Sequence, residues 1–311
     1  MGLTHFDTAP VITPEVGHIC GRWTLLGEAA GSSMVGLRRM QLSDGGWSTP
    51  AHEHGREEEL FYVLAGSGLV WQAGRTAAIG AGDAILFAPG EGAHTIRADR
   101  SLDLLAFGTR EGDESPAFPR SERQLIGHRL VAGEAGMIDG VPTQFVLEAR
   151  LGPPELPDTP GDRPDTIVAL SELEPDTLVR TRVQRTRRDF GRRLGSVRSG
   201  LQHVEVTPGR ESTAQHCHSA EEEIFVVLAG DGFLVLGEDE TPVGPGHVIV
   251  RPPGTGVGHV LRAGGHGLTY LAYGNRDPSD LCYYPRSHKI AFRGVHLIAR
   301  LEKLEYWDGE D

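Results

Sequence analysis

Two histidines, His52 and His54, stand two positions apart with Glu53 between them. Three acids, Glu57, Glu58 and Glu59, follow at the head of the apolar run Leu60-Phe61-Tyr62-Val63-Leu64. Side chains alternate faces along a β-strand, so the two imidazoles point to one side. An acid at the start of the apolar run can come from the next strand over, after which Gly66 and Gly68 supply a turn. His94, past the turn-rich Pro89-Gly90-Glu91-Gly92, adds a third imidazole. Three nitrogens and one carboxylate oxygen suit a borderline divalent ion such as iron, manganese, nickel, zinc or cobalt.

The arrangement occurs twice. His216 and His218, the acids Glu221, Glu222 and Glu223, the run Ile224-Phe225-Val226-Val227-Leu228, the turn Gly230-Asp231-Gly232 and a distant His259 repeat it. The offset is 164 residues for the first three groups (216−52, 218−54, 223−59) and 165 for the last (259−94). The copies extend further, since Phe118-Pro119-Arg120-Ser121 is matched by Tyr284-Pro285-Arg286-Ser287. A duplication that keeps this much order implies two similar modules.

At these residues the chain resembles the cupin superfamily in its two-domain (bicupin) form. The family motif of HxH, four residues, Glu, six residues and Gly reads His52, His54, Glu59, Gly66, and again His216, His218, Glu223, Gly230. That spacing selects Glu59 and Glu223 among the acids and leaves Glu57, Glu58, Glu221 and Glu222 as solvated alternatives. The second motif centres on His94 and His259. Where the family often has Asn four residues later, Ala98 and Ala263 stand instead. The second half, from Arg251 to Glu310, looks like a widespread bacterial cupin group whose activity the resemblance leaves open. The resemblance implies an all-β fold of two antiparallel double-stranded β-helix (jelly-roll) barrels, arranged as an intrachain pseudo-dimer. It also implies up to one divalent ion (Fe, Mn, Ni or Zn) per domain, held by His52, His54, Glu59 and His94 and by His216, His218, Glu223 and His259.

The elements that position these groups follow from the pattern of apolar runs and turns. One barrel starts at Gly36 and closes with Leu102 to Phe107, and the second follows the same order. Between them residues 151–166 carry five prolines, which fix φ and remove N–H donors, so an extended linker is expected there. The domains then read as 1–150 and 167–311. Thr4 to Gly27 reads as an outer strand or arm, and Val141 to Arg150 and the tail Leu297 to Trp307 as pieces packed outside the barrels.

Composition narrows the function. A net charge of −13 argues against a nucleic-acid partner or an anionic membrane surface. Cys20, Cys217 and Cys282 show no CxxC spacing and fit a reducing cytosol. No apolar run approaches the ~18 residues of a membrane span, and the N-terminus lacks the pattern of a signal peptide. The expected setting is cytoplasmic, with a small-molecule partner and a monomer or homodimer. No phosphate loop and no nucleophile elbow is present.

The residues expected to face the ion beside its ligands are Phe61, Val63, Phe225 and Val227, all apolar. This favours a mononuclear metalloenzyme acting on a small oxygen-bearing molecule, with dioxygenase-type chemistry foremost. The alternatives are a non-catalytic metal- and ligand-binding protein, and an isomerase or decarboxylase of the same fold. Arg180, Arg182, Arg185, Arg187, Arg188, Arg192, Arg193 and Arg198 form a basic stretch in an acidic chain. It reads first as a salt-bridged face, and second as a rim that attracts an anionic substrate.

Overall fold

The computed structural model describes residues 2–126, 129–131, 137–138 and 141–310. Two large antiparallel sheets dominate it. In the first the strand order is Ile167–Ala169, Asp83–Phe87, Glu59–Gln72, His94–Thr109, Val35–Leu42, Arg22–Thr24 and Val11–Ile12. In the second it is Gly2–His5, His247–Arg251, Glu223–Leu236, His259–Asn275, Ser199–Val206, Gln184–Asp189 and Asp176–Val179.

The two orders are equivalent strand for strand, with one exchange. The N-terminal arm, Gly2–His5, pairs with His247–Arg251 of the second barrel. Its counterpart at the head of the second half, Ile167–Ala169, pairs with Asp83–Phe87 of the first. Each half therefore completes the other's sheet. The proline-rich segment 151–166 that links them lies along the first barrel. Glu155 O accepts from Trp71 Nε1 at 3.1 Å, and Arg163 forms two bonds to Asp83 at 3.0 and 2.7 Å.

Alternation along the central strands splits the core. Leu60 and Tyr62, with Ile224 and Val226, join one apolar cluster shared by both halves. Phe107 meets Tyr273 there at a centroid distance of 4.9 Å. Phe61 and Val63 pack inside the first barrel, and Phe225 and Val227 inside the second. Both faces of these strands are buried, which is why they read as continuous apolar runs.

Glu58 and Glu222 correct the expectation of solvated acids: they are 1% and 0% exposed. Glu58 accepts bonds from the Ser196 and Ser199 hydroxyls and from the N–H groups of Val197, Arg198 and Ser199 in the other half. Glu222 accepts from the Ser32 hydroxyl and from the N–H groups of Ser33, Met34 and Val35. Each carboxylate reaches across the pseudo-twofold axis into a loop of the opposite half and satisfies donors that burial would otherwise leave orphaned. Glu221 is buried as well and accepts a bond from the Asp277 N–H.

The motif glycines have a steric cause. Gly66 and Gly230 hold φ of +87° and +81°, and a Cβ at either would lie 1.9 or 2.1 Å from a carbonyl of the facing strand. Only glycine fits such a position.

Candidate metal centres and their cavities

Backbone pairing sets the histidines side by side. His52 and His94 exchange N–H···O bonds of 3.2 and 2.8 Å, and His216 and His259 exchange bonds of 3.1 and 2.7 Å. Their imidazole centroids lie 4.7 Å apart in both barrels. The acid enters from the neighbouring strand. Glu59 Oε2 lies 3.6, 3.5 and 2.9 Å from Nε2 of His52, His54 and His94. Glu223 Oε2 lies 3.9, 3.4 and 2.8 Å from Nε2 of His216, His218 and His259. All eight sequence-derived residues thus gather in two groups of four.

Second partners orient the rings. His52 Nδ1 donates to the Pro50 carbonyl at 2.9 Å, and His216 Nδ1 to that of Ala214 at 2.8 Å. His218 Nδ1 donates to Asp280 Oδ2 at 2.7 Å. Each bond turns Nε2 and its lone pair toward the common point, as ligating histidines require. In the first barrel Glu114 and Glu57 lie 3.4 and 3.7 Å from His54 Nδ1.

The donor set fits a divalent ion. His218 Nε2, His259 Nε2 and Glu223 Oε2 are buried without a hydrogen-bond partner, although His259 Nε2 and Glu223 Oε2 are only 2.8 Å apart. Buried polar atoms this close but misaligned for a mutual bond are what ligands aimed at one ion look like. The electrostatics of the cluster reflect the same crowding. Burial opposes ionisation of Glu59, but the imidazolium charge of His54 and bonds from His52, His54 and His94 hold its carboxyl well below the usual range. Burial likewise opposes ionisation of Glu223, and His259, His218 and His216 outweigh it. Burial pushes His94 and His216 down to about 4. His54 goes the other way, to about 9, because Glu59, Glu57 and Glu114 override its burial.

The walls of the two cavities differ. The first, about 260 Å³, is lined by Arg38, Met40, Thr49, Phe61 and Arg110 beside the ligands. The second, about 320 Å³, is lined by Arg185, Arg187, Phe225, Tyr270, Cys282 and Tyr284. The expectation of an apolar wall therefore fails. Val63 and Val227 lie in the barrel cores, and only Phe61 and Phe225 of the four line a cavity. Arg185 and Arg187 share parity on Gln184–Asp189, so both face the second site, whereas Arg188 pairs with Glu205 outside at 2.6 Å. The basic stretch thus serves both roles, structural and cavity-lining. Arg120 and Arg286 hold Glu148 and Glu211.

The cupin domain profile matches residues 38–106 and 202–269, the two site-bearing segments. The chain carries two cupin domains. An oxalate decarboxylase from Bacillus subtilis aligns over 88% of this chain and 75% of its own, at 18% identity and a TM-score of 0.58. One from Lactobacillus farciminis, in a formate complex, aligns over 90% and 88%, at 18% identity and a TM-score of 0.58. A Bacillus subtilis oxalate decarboxylase described for its Mn(II) centres aligns over 88% and 76%, at 17% identity and a TM-score of 0.56. No curated protein sequence matches. At these identities the likeness is one of fold. Among the described residues no helix is long and apolar enough to cross a membrane.

Tyr270 and Asp280 escaped the sequence reading, whereas Arg185 and Arg187 entered it only within the basic stretch, first as a salt-bridged face and second as a rim for an anionic substrate. The arginines carried a signal in their shared strand parity. Asp280 carried a weaker one, since it stands 166 residues after Glu114, the other carboxylate beside a ligand histidine. Cys217, between two ligands, is buried and lines neither cavity, while Cys282 faces the second.

Proposed function

We propose that the protein is a divalent-metal-dependent enzyme that binds a small carboxylate-bearing molecule in the second barrel and acts on it there. The observation that carries this reading is the pair of guanidiniums, Arg185 and Arg187, on the wall of the cavity that holds His216, His218, Glu223 and His259. Guanidinium groups match carboxylates geometrically and keep their charge when partly buried. A bound ion supplies Lewis-acid polarisation of a substrate oxygen.

The chain's own groups complete the site. Burial pushes the Tyr270 phenol up to about 12 and the Cys282 thiol up to about 11, so both stay protonated at neutral pH. Tyr270 is then a fixed hydrogen-bond donor to a substrate oxygen. Phe225 and Ala272 exclude water on the remaining side. Asp280 holds His218 in one tautomer.

The dioxygenase reading rested on an apolar wall. With Val227 in the core and the guanidiniums of Arg185, Arg187 and Arg293 on the cavity wall, that argument lapses. Chemistry at a carboxylate, decarboxylation foremost, accords better with the cationic wall, and the fold neighbours named above as oxalate decarboxylases support this class. The test is turnover of small di- and hydroxycarboxylates by the metal-loaded protein, following carbon dioxide release and oxygen uptake together. Release of carbon dioxide without net oxygen uptake is the expected result. Stoichiometric oxygen uptake would restore the dioxygenase, and binding without turnover would leave a carboxylate-binding cupin.

A further inference from the structure

Arg187 already has an anion. The edge strand Asp176–Val179 pairs with Gln184–Asp189 in a register that puts Asp176 directly opposite Arg187. Asp176 Oδ2 lies 2.9 Å from Arg187 Nη2 and 3.5 Å from Arg185 Nη1. One oxygen thus faces two of the three guanidiniums that line the second cavity, Arg293 being the third. The Asp176 side chain is 57% exposed, and Arg187 also lines an outer cleft with Asp176, Glu172 and Arg192. The carboxylate therefore sits on the solvent side of the pair and is free to swing out.

The first barrel shows what the fold needs at these positions. There Ile12 stands opposite Trp23, and Trp23 opposite Met40. In the second barrel Asp176 stands opposite Arg187, and Arg187 opposite Val204. The offset is 164 throughout (176−12, 187−23, 204−40). Packing alone is served by Ile12 and Trp23. An arginine and an acid replace both members of that pair together, which is a change in charge management.

We propose that Asp176 is a built-in competitor for the anion site of the second barrel, a specificity-determining residue that a substrate carboxylate must displace from Arg187 and Arg185. A ligand anchored elsewhere in the cavity can overcome this competition, whereas a simple anion such as chloride gains too little from the guanidiniums alone. Asp176 stays ionised to below the usual carboxylate range because Arg187 and Arg185 face it, so the competition operates across neutral pH.

The inference rests on the carboxylate reading above, and one experiment separates them. Malonate is titrated calorimetrically into the zinc-loaded full-length chain, its zinc content fixed by elemental analysis, as wild type, Asp176→Asn, Arg187→Gln and the double variant. Melting curves establish that each variant is folded. Asp176→Asn should bind malonate about three- to tenfold more tightly, with a faster on-rate, a steeper salt dependence and new inhibition by chloride. In the Arg187→Gln background the same change should have no effect. Wild type that binds malonate while Asp176→Asn binds it equally or more weakly overturns the inference alone, because Asp176 then only braces the arginines. Wild type that binds no malonate overturns the carboxylate reading and the inference with it.

Discussion

Around His52, His54, Glu59 and His94 stand Trp23, Phe87 and Leu104; at the register-equivalent positions around His216, His218, Glu223 and His259 stand Arg187, Arg251 and Tyr270. Phe87 stacks on His94 at 3.8 Å, and Trp23 packs against Phe145 of the helix Thr143–Leu151 at 5.7 Å. Arg251 is 4% exposed and is held by the Thr255 hydroxyl and the Val257 carbonyl. After Arg300 the described chain forms only turns and coil. The two halves have kept the four candidate ligands, the motif glycines and the reciprocal Glu58 and Glu222 anchors. They have diverged at these three register positions, while arginines line both cavities, Arg38 and Arg110 in the first and Arg185, Arg187 and Arg293 in the second. What the fold needs is symmetric, and the proposed activity is not.

The largest asymmetry should come from the ligands. His216→Ala and His218→Ala should each lose the second ion and lower turnover on the order of 10³-fold, the several kcal/mol that Lewis-acid stabilisation supplies. His52→Ala and His54→Ala should remove the first ion and leave most of the turnover. Elemental analysis and rate measurement on the same samples check both parts, and equal losses from the two sites would break the comparison.

The anchors should behave alike. Glu58→Ala and Glu222→Ala each strand several buried donors, and each should cost about 3 kcal/mol of stability. Denaturant unfolding measures it. A large effect from one and none from the other would show that the interface is not a true pseudo-dimer contact.

Arg187→Trp gives the second barrel the first barrel's residue. It should weaken malonate binding by about 10- to 100-fold, the value of a charge-assisted contact. Trp23→Arg should gain no malonate affinity in the first barrel, where Phe145 packs on the position and Gly21 stands in place of Arg185. Calorimetry on the two variants decides this.

The smallest effect is that of Tyr270→Phe, about three- to tenfold in malonate affinity for one neutral hydrogen bond. Burial raises the phenol to about 12, so the protonated donor is present at every pH below that and the wild-type advantage should be constant from pH 6 to 9. An advantage that faded across that range would assign the donor to another group.

The fold and the eight gathered residues were legible because both repeat at a fixed offset, and each copy checks the other. Two further features left no trace of this kind. The strand exchange is invisible in sequence, since Gly2–His5 carries no sign of which barrel it completes. The burial of Glu58 and Glu222 is hidden for a similar reason: an acid beside a strand reads as solvated unless the donors of a distant loop are known. The cavity wall was misjudged because alternation along the ligand-bearing strand was followed and the neighbouring strand Gln184–Asp189 was not. Two of its arginines face the site and the other faces out.

The measurement that bears most directly on the account is a crystal structure of the metal-loaded protein soaked in malonate, with anomalous scattering to identify each ion. The account predicts ions at both clusters and one malonate per chain. That malonate should lie in the second cavity, with one carboxylate at the ion and the other against Arg185 and Arg187. Malonate in the first cavity instead, or an ion at the second cluster with no carboxylate on either arginine, would contradict it.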